Sequence, residues 1–189
     1  KIEPTNGFKA NQRLRRYQRI IQKDKELCLG SYCFLWGQKQ ESTSTWHGMY
    51  LSNGHPTEAV DVMQYCWKGE WPAKRAPSIM KIKLNGDNWK KNHVFIKNQE
   101  ATLNFIYERN KNDSLYFDFQ LYPETFSTKG GGDFQKSPDK LKFEIIKQSE
   151  NSLSFKVPNK KGFYRIFVFV RNVINQTSVA NIPFIVEQL

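Results

Sequence analysis

The sequence has few of the residues that disulfide frameworks and metal sites require. Only three cysteines and three histidines occur among its 189 residues. Cys28, Cys33 and Cys66 are odd in number and form no CxxC pair, so we expect free, buried thiols. The histidines are scattered along the chain, which argues against a zinc site. We therefore expect neither a metal nor another cofactor.

Long apolar runs are also missing. No run approaches the roughly 20 residues that a membrane-spanning helix needs, so we expect no membrane partner. The first residues lack the apolar segment of a signal peptide, and the chain does not begin with Met. We expect a mature product or a piece of a longer chain. With 39% hydrophobic and 14% aromatic residues, intrinsic disorder is a poor description.

Acidic residues are scarce relative to basic ones, and the net charge is +11. This excess invites a nucleic-acid interpretation. The one compact cluster is Arg13, Arg15, Arg16 and Arg19, and no helix-turn-helix, zinc-finger or RNA-binding signature accompanies it. We interpret the cluster as a solvated helix face and expect no nucleic-acid partner. Steeply salt-dependent binding to duplex DNA would favour the alternative.

Two elements are predicted near the N-terminus. A helix is capped by Thr5 or Asn6 and runs to about Lys25. Residues 29–36 then form a short apolar run rich in aromatic side chains, as is typical of a strand buried on both faces of a parallel sheet. The helix positions expected to face inward are Leu14, Tyr17, Ile20 and Ile21.

A second helix is predicted over residues 56–67. Thr57 is its expected N-cap, Glu58 and Asp61 suit the first turn because the helix dipole favours carboxylates there, and Gly69 suits a left-handed C-cap. Together with the first helix and the buried strand it forms a fragment of an α/β layer. The positions expected to face inward are Ala59, Val60, Met63, Cys66 and Trp67.

Residues 71–77 contain two prolines and are interpreted as a linker. Beyond them the pattern changes to short alternating segments, interrupted by a glycine-rich loop at 129–133. No cysteine lies there, so aromatic packing must replace the disulfide of an immunoglobulin-like sandwich. We predict an α+β chain with a boundary between 1–75 and 76–189. The predicted strands are 79–84, 93–96, 101–108, 115–122, 141–147, 152–157, 163–170 and 179–186.

Polar side chains follow the apolar run. Aromatic faces stack on the C–H surfaces of sugars, while amide and carboxylate groups bind sugar hydroxyls, so the pattern suits the rim of a sugar-binding cleft. An ordinary polar loop after a core strand fits these residue types equally well. The candidate binding residues are Trp36, Gln38, Lys39, Gln40, Trp46 and His47.

Several stretches carry a resemblance to a known family. Residues 29–41, with Trp-Gly-Gln-Lys-Gln-Glu at 36–41, and residues 45–50 and 58–63 resemble the end of a bacterial glycoside hydrolase barrel of the family 2 type. Segments beyond the linker resemble the immunoglobulin-like domain that follows such barrels. These segments are 76–77, 130–133, 162–165 and 180–184.

The resemblance implies an architecture and a site. Residues 5–25 would be the seventh barrel helix, 29–36 the eighth strand and 56–67 the eighth helix of a (β/α)8 barrel remnant. Trp36 would then lie at the C-terminal mouth of the barrel, where active sites of this fold occur, and would form a sugar platform. The other five candidates would line the loop after the last strand.

The chain departs from this family at the catalytic residues. Retaining glycosidases need two carboxylates roughly 5 Å apart, and the family carries them on its fourth and seventh strands, which would precede Lys1. Glu3 and Glu41 match neither position. We therefore expect no catalytic residue and no catalysis by this chain alone, and whether it serves an enzyme is left open.

Two functions follow as alternatives. The first is a C-terminal fragment of a carbohydrate-active enzyme that binds an oligosaccharide or polysaccharide and works with the rest of the barrel, in cis or as another chain. The second is a secreted or cell-surface adhesion module without catalysis. The resemblance implies an extracytoplasmic location. A Trp36 side chain among polar groups favours the first function, and one buried under a helix favours a structural role.

Overall fold

The computed structural model describes residues 1–24, 26–126 and 133–188. The predicted glycine-rich loop therefore lies, apart from Asp133, outside the described residues. Two α-helices, one π-helical turn and eight strands occur within the described part. The helices are α1 (Asn6–Arg16) and α2 (Glu58–Lys68), with the π-helical turn at Tyr17–Ile21. The strands are β1 (Ser78–Leu84), β2 (Val94–Ile96), β3 (Glu100–Glu108), β4 (Leu115–Pro123), β5 (Ile145–Gln148), β6 (Ser152–Lys156), β7 (Gly162–Asn172) and β8 (Thr177–Glu187).

The first helix starts where the sequence predicts and ends earlier. The Thr5 hydroxyl accepts a hydrogen bond from the Phe8 N–H, 3.2 Å away, which confirms Thr5 as N-cap. The residues it buries are Asn6, Gly7 and Ala10 rather than the predicted apolar face. Ile20 is exposed. The C-terminal part of the predicted apolar face thus has little of the described chain to pack against.

The predicted buried strand at 29–36 is not formed. These residues have no regular secondary structure, and Leu29 and Tyr32 are fully exposed. A strand needs neighbours to pair its backbone groups, and the described residues place no strand beside this segment. The strand prediction is therefore wrong for this chain, and the barrel remnant that it implied is not seen.

The second helix follows its predicted capping. Thr57 accepts from the Ala59 N–H and donates to the Met49 carbonyl, and Gly69 adopts a left-handed φ of 78°. Ala59 and Met63 are buried as predicted, whereas Trp67 is half exposed. The three cysteines are free thiols, as expected, but each is half-buried rather than buried.

The eight strands form two four-stranded sheets. One has the order β1-β3-β6-β5 and the other β2-β8-β7-β4, and all pairs are antiparallel except β2 with β8. The predicted strand positions are confirmed to within a few residues. The exception is β5, which starts four residues later than predicted because Leu141 forms only an isolated bridge to Leu121.

The strand order is that of an immunoglobulin sandwich. The sheets β1-β3-β6-β5 and β4-β7-β8 correspond to the two sheets of a constant-type domain, with β2 as an added edge strand. The Tyr164 hydroxyl, near the start of β7, donates to the Lys160 carbonyl at 2.8 Å, as a tyrosine corner does. Gly162 keeps that corner open, since a Cβ there would lie 3.2 Å from the Tyr164 hydroxyl.

Strand β7 is buried on both faces. Ile166, Val168 and Val170 point into the apolar core between the sheets. On the opposite face, Phe167 packs with Leu51 in a second apolar cluster. The N-terminal half therefore covers the outer face of the sheet at β7 and β8, which explains why both sides of β7 are apolar.

The predicted linker packs closely. Trp71 stacks on Tyr65 with ring centroids 4.5 Å apart, and the Arg75 guanidinium lies 3.9 Å from the Trp71 ring. The Ala76 N–H donates to Asp61 at 2.7 Å. The hydrogen bond between Ala76 and Asp61 crosses the predicted boundary, and the division into 1–75 and 76–189 remains a prediction.

Candidate functional site

The segment that carries the candidate residues is held by α1. Arg13 donates to the carbonyl oxygens of Phe34 and His47, at 3.0 and 3.2 Å, and to the Cys33 sulfur. It therefore does not belong to the solvated face that the sequence predicted, although Arg15, Arg16 and Arg19 do. One guanidinium thus fixes both ends of the stretch between Phe34 and His47.

A buried carboxylate fixes the middle of the same segment. Glu3 accepts hydrogen bonds from Lys9, Thr43, Thr45 and Asn181, at 2.7, 2.5, 2.9 and 2.6 Å. Burial alone would raise its pKa, but the Lys9 charge and these hydrogen bonds together lower it. Glu3 is therefore ionised and fully engaged, and it ties the loop to β8 of the sandwich.

Trp36 lies on an exposed aromatic surface. Its side chain is 60% exposed and touches the ring of Tyr50 edge-on, with centroids 5.2 Å apart. Nearby, His47 makes edge contacts with both Phe34 and Trp46, at 5.5 and 6.4 Å. The Trp36 ring is therefore not buried under a helix, and much of its surface remains open.

Charged groups accompany these rings. The Lys39 ammonium lies 2.9 Å from Glu41 Oε2, and His47 Nε2 lies 3.4 Å from Glu41 Oε1. The hydrogen bond from Lys39, helped by His47, lowers the pKa of Glu41, although burial acts in the opposite direction. Glu41 is therefore an ionised hydrogen-bond acceptor rather than a proton donor.

The two glutamines lie elsewhere. Gln38 and Gln40 line a cavity of about 130 Å³ between the loop and the sandwich, together with Tyr122, Arg165 and Phe167. Gln40 is buried and accepts from Ser137, and Gln38 donates to the Ser44 carbonyl. Gly37, at a φ of 120°, separates Trp36 from them. The structure thus divides the six candidates between an outer surface and an inner cavity.

Arg165 borders that cavity as a buried charge. It donates to both oxygens of Glu124, at 2.8 and 2.9 Å, to Asn181 and to the Lys1 carbonyl. Arg165 is not among the residues that the sequence predicts to be functional. A signal was present, because a charged residue on the outward side of an otherwise apolar strand needs a partner.

The described ranges hold no helix that is long and apolar enough to cross a membrane. Across the same residues, no group of three or more His, Cys, Asp or Glu could hold a metal ion.

No protein-family model and no curated protein matches the sequence. Among solved structures, a nucleoside hydrolase-related hypothetical protein from Saccharophagus degradans, associated with carbohydrate metabolism, is 16% identical with a TM-score of 0.40. The alignment covers 68% of this chain and 29% of that one. A DUF4784 family protein from Bacteroides caccae is 13% identical with a TM-score of 0.29, covering 58% and 24%.

Murine CRIg is 7% identical with a TM-score of 0.33, and the alignment covers 60% of this chain and 98% of that one. The chain thus spans less than a third of the length of the two bacterial proteins. The TM-scores are too low for the fold or the function to be inferred from these three proteins.

Proposed function

We propose that the chain is the C-terminal part of a carbohydrate-active enzyme of the glycoside hydrolase type. It contributes one part of a sugar-binding rim, around Trp36, and an accessory immunoglobulin-like sandwich. The rest of the barrel, in cis or as another chain, supplies the pair of catalytic carboxylates. The proposal includes an extracytoplasmic location.

The exposed ring of Trp36 is the observation that carries this proposal. Indole faces bind the C–H surfaces of sugars, and a ring that is 60% exposed is available for this. The ionised Glu41 and its partners Lys39 and His47 supply hydrogen-bonding groups on the same loop. Because Arg13 and Glu3 fix this loop, little ordering is needed when a ligand binds.

A group of exposed apolar side chains supports the proposal that the rest of the barrel contacts this chain. They lie in the part of the sequence from Ile20, within the π-helical turn, to Trp36. Exposed apolar surface of this kind marks a contact site. We propose that the remaining barrel covers them. The exposed side chains are Ile20, Leu27, Leu29, Tyr32, Phe34 and Trp36.

The sugar platform is tested by Trp36→Ala in the complete protein. We expect the affinity for neutral β-linked tetrasaccharides of glucose and xylose to fall by about tenfold, or about 1.4 kcal/mol. Trp89→Ala is the matched control, because it removes another exposed indole, one that lies on the sandwich. Equal affinities in the two variants would exclude Trp36 as the platform.

The proposal that a barrel precedes this chain is tested by sequencing the gene upstream of the codon for Lys1. A continuous reading frame upstream of the codon for Lys1, encoding about six more strand–helix units and two glutamates at strand ends, is the expected result. A start codon directly before Lys1 would contradict the proposal. It would favour the secreted or cell-surface adhesion module instead.

A further inference from the structure

A groove on the sandwich lies apart from the Trp36 surface. Its volume is about 280 Å³, and its walls are the loop around Asn53 and His55 and the outer faces of β4 and β7. The register places Tyr116 beside Arg171 and Asp118 beside Phe169. The N-terminal half covers β7 and β8 but leaves part of β4 exposed. The groove lies where the edge of this covering layer meets the exposed part of β4.

One wall presents an aromatic ring. Tyr116 is 53% exposed, and the Arg171 guanidinium lies 4.6 Å from its ring centroid. Arg171 also donates to Asn175 at 2.7 Å. The cation–π contact orients the ring, so that its exposed surface is a preformed platform.

A row of polar groups runs along β4 beside that ring. The Tyr122 hydroxyl donates to Gln120 Oε1 at 2.6 Å, and Gln120 Nε2 donates to Asp118 Oδ2. A carboxylate can accept about four hydrogen bonds, so Asp118 keeps acceptor capacity toward the groove. A hydroxyl, an amide and a carboxylate thus follow one another at the spacing of alternate strand residues.

The opposite wall adds groups that both donate and accept. Asn53 Nδ2 lies 3.2 Å from His55 Nδ1. Burial, with the Arg171 charge, lowers the pKa of His55. The imidazole is therefore neutral at pH 7, with one nitrogen that donates and one that accepts.

We propose that this groove binds a neutral saccharide of one or two rings. Tyr116 stacks on a sugar face, and Asp118, Gln120, Asn53 and His55 bind hydroxyls. The opposite charges of Asp118 and Arg171 balance, so neither an anionic nor a cationic ligand is favoured. A volume below the roughly 300–1,000 Å³ of sites for drug-sized ligands excludes a long chain within the groove. This site does not depend on the role proposed for Trp36.

Glycan microarrays test the site, using the labelled full chain over immobilised neutral mono-, di- and oligosaccharides and sialylated, sulfated and phosphorylated glycans. We expect retention on neutral glycans, which changes less than about twofold when ionic strength rises from about 0.05 to about 0.5 M. Tyr116→Ala and Asp118→Asn should each reduce it by about tenfold or more. Both residues are exposed, so these variants should fold.

Two control variants separate this site from the proposed rim. Tyr32→Ala removes a fully exposed tyrosine outside the groove and should change nothing. Trp36→Ala, measured beside it, reports any retention that passes through the proposed rim instead of the groove. The proposal is overturned if no neutral glycan is retained, if only acidic glycans are, or if Trp36→Ala abolishes retention while Tyr116→Ala preserves it.

Discussion

The two halves of the molecule are stabilised by different kinds of contact. The sandwich core consists entirely of residues from 79 onward, and side chains such as Leu103, Phe155 and Ile182 are fully buried in it. Among the described residues of the N-terminal half, a small apolar cluster forms around Met49. The residues of this half attach to the sandwich through buried polar groups, as at Glu3, and through the apolar contact of Leu51 with Phe167. The N-terminal half therefore depends on the sandwich, whereas the sandwich core needs no side chain from the N-terminal half.

The same difference appears at the surface. In the sandwich, most apolar strand residues find a partner across the core, but in the N-terminal half a run of apolar side chains up to Trp36 stays uncovered. Burying such side chains is worth about 1.5–3 kcal/mol each. The N-terminal half leaves such side chains exposed, so its surface is suited to contact with another protein segment. The sandwich, whose core is already filled, needs no such contact.

Truncating Phe167 should have the largest effect, because this residue joins the two halves. Phe167→Ala should lower the free energy of unfolding by about 3–5 kcal/mol, measured by urea unfolding, since the ring is buried against Leu51 and Val179. Phe163→Ala, on the same strand but half exposed, is the control. A loss below about 1 kcal/mol would mean that the contact between the halves is loose.

Removing the partner of Glu3 tests the polar attachment. Lys9→Met should destabilise the protein by about 3 kcal/mol, because it leaves a buried carboxylate without its cation. Adding Glu3→Gln to the same variant should recover part of the loss. If the double variant is no more stable than Lys9→Met, the ion pair is not what attaches the N-terminal half.

The free energy of unfolding should also depend on pH through Glu58, which lies at the contact between the two halves. Burial raises the pKa of this side chain from 4.5 to about 7, although the Ser178 hydroxyl donates to it. Its other oxygen, Oε2, is buried without a partner among the described residues. The folded state therefore binds more protons than the unfolded state between pH 4.5 and 7, and stability falls as pH rises through that window.

The expected loss from Glu58 is on the order of 3 kcal/mol. Asp61, whose pKa burial raises to about 6, acts in the same direction. Glu3 acts oppositely at lower pH, because its lowered pKa means that stability is lost when it becomes protonated. Urea unfolding of the wild type and Glu58→Gln from pH 5 to 8 isolates the contribution of Glu58. Parallel pH profiles would show that Glu58 does not titrate in this way.

The smallest expected effect lies within the sandwich. Tyr164→Phe removes the hydrogen bond to the Lys160 carbonyl and should cost about 1 kcal/mol, without changing how the N-terminal half attaches. Amide hydrogen exchange distinguishes the two outcomes. Faster exchange confined to the start of β7 is expected, and faster exchange in α2 would contradict the separation of the two halves.

The strands were predictable because alternation of apolar and polar residues reports burial directly. The caps at Thr5, Thr57 and Gly69 were predictable for a similar reason, since each acts on backbone groups a few residues away. The structure of residues 29–36 was not predictable in this way. An apolar run indicates that a strand formed there would be buried, but it does not indicate that a neighbouring strand is present to pair with it. The sequence also did not predict that the six candidate residues would separate between an outer surface and an inner cavity. The chain turns at Gly37, between Trp36 and Gln38, and the candidate residues themselves do not indicate this turn.

Short-range patterns in the sequence were enough to place the helix caps at Thr5, Thr57 and Gly69 and the positions of the eight strands. Which polar side chains are buried together depends on how the elements pack. Glu3 accepts a hydrogen bond from Asn181, which lies 178 residues away in the sequence. Tyr116 and His55, also distant in the sequence, line the same groove. Local elements follow from spacings of two to four residues, which the sequence displays. Contacts between distant residues depend on how the sheets and helices pack, and no short-range pattern encodes that packing.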